Sequence, residues 1–297
     1  MWTVLIIARL VILSITGVCG TFLNSIIVVL NFRSWRDVAT SKSYNKILFV
    51  IGLINSIIQV HINLDTIFET FHVYLLSRNL LVYTFTFCMI LISINVWNTT
   101  WLSIFCCVRL FSSSNWFFLR MKVKFLSSLP LLIVGSILVS SAINLPLFWT
   151  TKVEIPQNTT SSPISGYKMT MDYHCIVFVS LFDICLPVSM SCVSIGLSVT
   201  TLVGHIRRMG SSDSHLTSAQ LQGHYRAVWK IVIRVFLDFF FYTVVVIGTS
   251  VEFLLNSPVM SYLWMTVLLY PTSQASILIL GNPKLRSAVY GLMRSFR

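Results

Sequence analysis

The sequence predicts an all-α protein: a single bundle of seven membrane-spanning helices. Three observations lead there. Of the 297 residues, 56% are hydrophobic and only 10% are charged, where soluble proteins carry about 25%. Seven stretches each offer the ~20 predominantly apolar residues that a helix needs to cross a hydrocarbon core of about 30 Å. Lys and Arg, finally, gather in alternate loops, the bias that orients a polytopic chain. Strands of a β-barrel would be about half as long as these stretches.

The first span, roughly 4–31, opens the chain. It resembles a signal peptide but has no basic region ahead of its apolar run, and that run continues to Leu30. It is expected to stay in the mature protein as a helix. The second, 46–71, is the least apolar, interrupted by Asn55, Gln59, His61, Asn63 and Asp65. The third, 80–108, and fourth, 126–149, are nearly continuous. The fifth, 175–203, carries Asp183 and the sixth, 228–254, carries Asp238 and Glu252. The seventh covers 260–280. Pro146, Pro187 and Pro271 lie in or at the ends of spans and are expected to kink or end them. Ser136 and Ser140, four apart in the fourth, suit close helix packing.

Seventeen of the 21 bases fall on one side. They are Arg33, Arg36, Lys42 and Lys46; Arg109, Arg120, Lys122 and Lys124; Arg207, Arg208, Arg226, Lys230 and Arg234; and Lys284, Arg286, Arg294 and Arg297. Only Arg9, Arg78, Lys152 and Lys168 fall on the other. The N-terminus is therefore expected outside and the tail, 281–297, inside. Loop 150–174 is then an outer loop and 204–227 an inner one.

Two Asn-Thr-Thr sequons start at Asn98 and Asn158. Asn158, in the outer loop, is the expected glycan site. Asn98 lies deep in the third span, and its amide is expected to bond to a neighbouring helix. The basic stretch after Arg109 becomes an inner loop, with Trp116, Phe117 and Phe118 at the lipid interface.

The net charge of +12 then reads as topology and attraction to anionic lipid rather than nucleic-acid binding. The seven cysteines show no C-x-x-C pair and no metal-ligand spacing, and their odd number argues against a complete disulfide framework. No G-x-S-x-G, H-E-x-x-H or phosphate-binding glycine loop occurs. Nothing points to an enzyme or to a cofactor. His61 and Asp65 share a helix face at i, i+4, as a hydrogen-bonded pair or a proton or metal site. Asp65, Glu69, Asp183 and Glu252 gather in the outer halves of their spans, where a ligand from outside would enter. Asp238 sits near mid-depth.

The residues Trp97-Asn98-Thr99-Thr100-Trp101-Leu102-Ser103-Ile104-Phe105-Cys106-Cys107-Val108-Arg109-Leu110-Phe111-Ser112 resemble the third-helix signature of the bitter taste receptors (type 2 taste receptors). "LVGHIRRMG" with His205 and Met209, "GHYRAVWK" with His224, and "ILILGNPKLRSA" with Lys284 are similar to that family's fifth-helix end, sixth-helix start and seventh-helix end. Departures are Ile57 for an internal Arg, Cys106 for Tyr, Arg109 for Lys, and Gln274-Ala275 for His-Ser; they mark a divergent member. The rhodopsin-like D-R-Y and N-P-x-x-Y motifs are absent.

The resemblance implies a G-protein-coupled receptor at the plasma membrane. Its partners would be a small-molecule agonist outside and a heterotrimeric G protein of the taste type inside. Alignment on Trp97 assigns Cys88, Met89 and Ile92 to the ligand pocket, and counting back from Gln274 adds Trp264 and Val267; Asp183 and Glu252 would supply polar contacts. An aromatic wall with acids suits an amphipathic or cationic guest, since a desolvated cation over an aromatic face gains about 2 kcal/mol. Cys106, Arg109, His205, Met209, His224 and Lys284 are assigned to a coupling cleft, with Arg109 and Lys284 expected at helix C-termini, which favour cations. The alternatives are a type 1 vomeronasal receptor and, from another class, a small transporter or channel.

Overall fold

The computed structural model describes residues 2–37, 42–71, 77–110, 116–154, 168–211, 229, 232–245, 247, 253–254 and 258–295. The long helices are α1 (Trp2–Asp37), α2 (Lys42–Thr70), α3 (Arg78–Leu110) and α4 (Trp116–Asn144). After the turn at Leu145-Pro146 comes the short α5 (Leu147–Thr150), then the strands β1 (Lys152–Glu154) and β2 (Lys168–Thr170). The fifth span is one helical run built from α6 (Tyr173–Val179), a π-helical turn (Ser180–Cys185) and α7 (Leu186–Ser211). Helix α8 covers 232–245, followed by β3 (Phe253–Leu254), α9 (Pro258–Gly281) and α10 (Pro283–Ser295). Among the described residues, five helices are long and apolar enough to cross a membrane, and α9 adds a shorter apolar stretch, Met265–Gly281.

Helix ends follow local chemistry. Asp172 caps α6, its carboxylate accepting the Cys175 N–H at 3.1 Å, as favoured first-turn caps do. Asn282 likewise accepts the Lys284 N–H at 3.0 Å, and Pro283 fills the first position of α10, where a missing N–H costs nothing. Pro146 stands in the turn that ends α4. Pro187 offers no donor to the carbonyl four residues back, that of Asp183, and there the helix takes its π form, with the Leu186 N–H reaching Leu181 O.

Helix α3 is the buried strut, packing on α2, α4 and α7, while α1 packs on α2 and α9. Glycines set the α1 contacts. A Cβ on Gly17 would lie 2.9 Å from Asn63 Nδ2 and one on Gly52 2.8 Å from Ile27 Cγ2. A Cβ on Gly20 would collide with Thr272 Oγ1 and Gln59 Oε1. One end of the bundle carries the antiparallel sheet, in the order β1-β2-β3. Its register pairs Val153 with Met169 and Met169 with Phe253. Met169 inserts beneath the sheet among Leu81, Phe85, Met89, Leu147 and Val179. The opposite end carries α10, amphipathic, with Leu285 sunk into a cluster of Ile47, Ile51, Phe105 and Ile279 and Arg286 and Arg294 exposed.

The structure revises several expectations from the sequence. Trp116, Phe117 and Phe118 form the first turn of α4 rather than a loop. Residues 253–254 pair in the sheet instead of extending the sixth span. Arg234, counted among the inner-loop bases, is a buried residue of α8. The Asn98 amide bonds to its own helix, at Ile94 O 2.7 Å away, because the carbonyl four residues back is the nearest acceptor. His61 Nε2 donates to Thr84 O of α3 at 2.9 Å, its ring edge-on to Phe87. None of the seven cysteines forms a disulfide.

Candidate functional site

Polar side chains concentrate at the middle of the bundle. Asn55 of α2, Asn95 of α3, Asp238 and Tyr242 of α8, and Tyr270 and Gln274 of α9 are all buried. Their spacing makes this possible. Asp238 and Tyr242, and Tyr270 and Gln274, are four residues apart and share a helix face. Asn95 Nδ2 lies 2.8 Å from Asn55 Oδ1, 3.2 Å from Gln274 Oε1 and 3.3 Å from Tyr270 OH. An amide has only two hydrogens, so the shortest contact, to Asn55, is the firm one.

Gln274 uses both of its donors, on Tyr270 OH at 3.0 Å and Asp238 Oδ1 at 3.3 Å. Tyr270 OH lies 2.8 Å from Tyr242 OH and 3.4 Å from Asp238 Oδ1. With one proton each, the hydroxyls order themselves: Tyr242 donates to Tyr270 and Tyr270 to the carboxylate. Arg234 Nε stands 3.8 Å from Asp238 Oδ2, one turn along α8. Its Nε and Nη2 have no hydrogen-bond partner among the described residues. Such a network is costly where incomplete and specific where satisfied.

Toward the sheet end the interior is apolar. Cys88 and Ile92 of α3, Ile184 of the π turn and Val267 of α9 form one buried cluster, which also contains Tyr242 and Tyr270. Three of the residues assigned to a pocket, Cys88, Ile92 and Val267, are thus brought together. Met89 faces a separate cluster, beneath Met169 of the sheet. Asp183 is 1% exposed, and its Oδ2 accepts a hydrogen bond from Asn144 Nδ2 of α4. Trp264 belongs to α9, and its side chain lies outside the described residues, as does Glu252.

At the opposite end, Arg109 is exposed in the last turn of α3. Cys106 is half-buried against the cluster that holds Leu285, within electrostatic reach of Arg109 and Arg234. Lys284 is exposed, in the first turn of α10 rather than at a C-terminus, since Asn282-Pro283 starts a new helix. His205 and Met209 lie on the last turns of α7, their side chains outside the described residues, as are His224 and Asn158 altogether.

A family model described as "Taste receptor protein (TAS2R)" matches residues 1–296. The chain belongs to the taste receptor type 2 family. Among curated proteins, taste receptor type 2 member 41 of Rattus norvegicus is 27% identical over 92% of this chain and 91% of its own length. Member 41 of Mus musculus is 26% identical over 92% and 91%, and member 40 of Gallus gallus 25% over 96% and 93%. As a taste receptor type 2 protein it is a seven-transmembrane G-protein-coupled chemosensory receptor and a multi-pass membrane protein, not an enzyme. Membership decides against the vomeronasal and transporter alternatives.

The mid-bundle network is not legible as a unit in the sequence. Its signal was present in polar residues at i, i+4 inside apolar spans, and Gln274 had stood out only as a departure from His.

Proposed function

We propose that this receptor binds small bitter-tasting molecules in the sheet-end half of the bundle and activates a heterotrimeric G protein at the other end. The sheet end faces outside and the tail lies inside, at the plasma membrane. The observation that carries this is the cluster of Cys88, Ile92 and Val267: residues from two distant spans, which the resemblance assigns to the pocket, converge there and share their cluster with Tyr242 and Tyr270. Those tyrosines also belong to the polar network, so a guest that shifts the cluster perturbs contacts among α2, α3, α8 and α9. A ligand drives such a change only by binding one arrangement better than the other. Trp264 and Glu252 are assigned to the site from the sequence, Glu252 as its polar contact, while Asp183 is engaged with α4.

The test begins with a screen of bitter compounds on cells expressing the receptor. Against an agonist so found, Val267→Ala and Trp264→Ala are expected to shift the calcium response rightward, each by about tenfold, at equal surface expression, which corresponds to about 1.4 kcal/mol. Glu252→Gln weakens cationic agonists and spares neutral ones. Parental curves from all three variants with several unrelated agonists would contradict the site.

Two further results follow from the orientation. Asn158 carries a glycan, so a glycosidase shifts the mobility of the parent but not that of Asn158→Gln; a shift that persists in the variant contradicts the placing of the loop. Arg109, Cys106, His205, Met209, His224 and Lys284 are assigned to the coupling cleft by the family resemblance. Arg109→Ala is expected to lower the maximal response with surface expression unchanged, and an unchanged response would leave Arg109 a topology residue only.

A further inference from the structure

Asp183 is the only acid of the fifth span and lies inside the membrane, 1% exposed. Among the described residues its one hydrogen-bond donor by geometry is Asn144. Ser93 Oγ and Trp97 Nε1 of α3 approach the same carboxylate without meeting hydrogen-bond geometry, and both are buried without a partner among the described residues. So are Asp183 Oδ1 itself, Asn144 Oδ1, and Ser140 Oγ, one turn before Asn144 on the same face of α4. Where α3, α4 and the π turn meet, four oxygen acceptors are therefore sealed from solvent and left unsatisfied. Native interiors rarely tolerate this without an unseen occupant. The charge also needs one: among the described residues no Lys, Arg or His forms an ion pair with Asp183, and an unpaired carboxylate in a bilayer is costly.

We infer that this set of buried oxygens holds a desolvated sodium ion, coordinated by Asp183 Oδ1 with the side-chain oxygens of Asn144, Ser93 and Ser140. Hard oxygen donors suit a hard cation. One carboxylate neutralises one unit of charge, so a divalent ion would leave a net charge in the hydrocarbon. The Asn144 donor holds the carboxylate in place while its remaining lone pairs face the ion. The site is separate from the agonist cluster: Asp183 turns to α4, whereas its neighbour Ile184 packs with Cys88, Ile92 and Val267. An ion here clamps the π turn, a form found often at functional sites, against α3 and α4.

The experiment uses the purified full-length receptor in nanodiscs, with thermal unfolding followed by tryptophan fluorescence. Sodium chloride is titrated against N-methylglucamine chloride at constant ionic strength. A saturable rise in the melting midpoint with sodium is expected, as binding to the folded state alone requires. Asp183→Asn, which keeps the shape and the Asn144 contact, is expected to abolish the rise. Ser93→Ala and Ser140→Ala should move its half-saturation several-fold higher and serve as the deciding variants if Asp183→Asn yields no folded protein. Equal midpoints in the two salts for the parent, or a sodium response unchanged by these substitutions, would overturn the site. A response to sodium and to N-methylglucamine alike would also overturn it, as a general salt effect.

Discussion

Asp238→Ala is expected to remove the receptor from the cell surface. The carboxylate accepts from Gln274 and Tyr270 and stands 3.8 Å from Arg234. Deleting it leaves a guanidinium buried to 7% exposure without a counter-charge. Breaking a buried pair by removing one partner costs about 3–5 kcal/mol, a large fraction of the roughly 5–15 kcal/mol that holds a domain folded. The desolvation of the survivor, more than the lost attraction, sets that figure. The double variant Arg234→Met with Asp238→Leu should therefore recover much of the surface expression, since apolar replacement of a whole buried pair is often neutral or better. Recovered protein would still signal abnormally, because Gln274 and Tyr270 would have lost their acceptor. Measuring surface expression for both single variants and the double completes the cycle. Normal expression of Asp238→Ala, or a double variant no better than the single, would contradict the burial of the pair.

Gly20→Leu is the second large effect. A side chain at Gly20 meets Thr272 Oγ1 and Gln59 Oε1 at once. Those two are already engaged with each other at 3.3 Å, and Gln59 Nε2 reaches Asn63 Oδ1 at 3.1 Å. A leucine must push α1 away from α2 and α9 or strip these hydrogen bonds. Overpacking costs about 1–3 kcal/mol, and stranding a buried polar group adds about 1–3 kcal/mol. The variant is expected to unfold at a markedly lower temperature in detergent, whereas Gly135→Leu, where an added Cβ meets nothing within 4 Å, should match the parent. Equal melting of the two variants would contradict the α1 contact.

The spans were legible because hydrocarbon imposes one requirement on all of them, about 20 apolar residues in a row. Their ends were not: α4 begins at Trp116 and α1 runs to Asp37, since a helix can continue past the hydrocarbon into water. Hydropathy senses only the buried part. The convergence of Cys88, Ile92 and Val267 in one cluster was legible because the resemblance around Trp97 and Gln274 fixes their register. The sequence gives the depth of Asp183 but not the face it presents, because depth is legible and rotation is not. Its contact with Asn144 depends on the π turn, which shifts every later residue around the helix axis and leaves no mark but Pro187. The mid-bundle network was hidden for a related reason. Asn55, Asn95 and Gln274 are far apart in sequence, and each alone reads as a polar interruption. Only helix packing reveals that they meet. Arg234 misled in the opposite sense, since a base at a span's edge counts toward topology whether or not its head reaches water.

The central claim is that a guest in the sheet-end half drives a G protein at the far end. Guanine-nucleotide exchange on a purified heterotrimeric G protein, by receptor in nanodiscs and at rising agonist concentration, tests it most directly. Exchange should rise with agonist and not in empty discs, and Val267→Ala should need about tenfold more agonist to reach the same maximum. Agonist-driven ion flux through receptor liposomes that lack any G protein, with no stimulation of exchange, would contradict it.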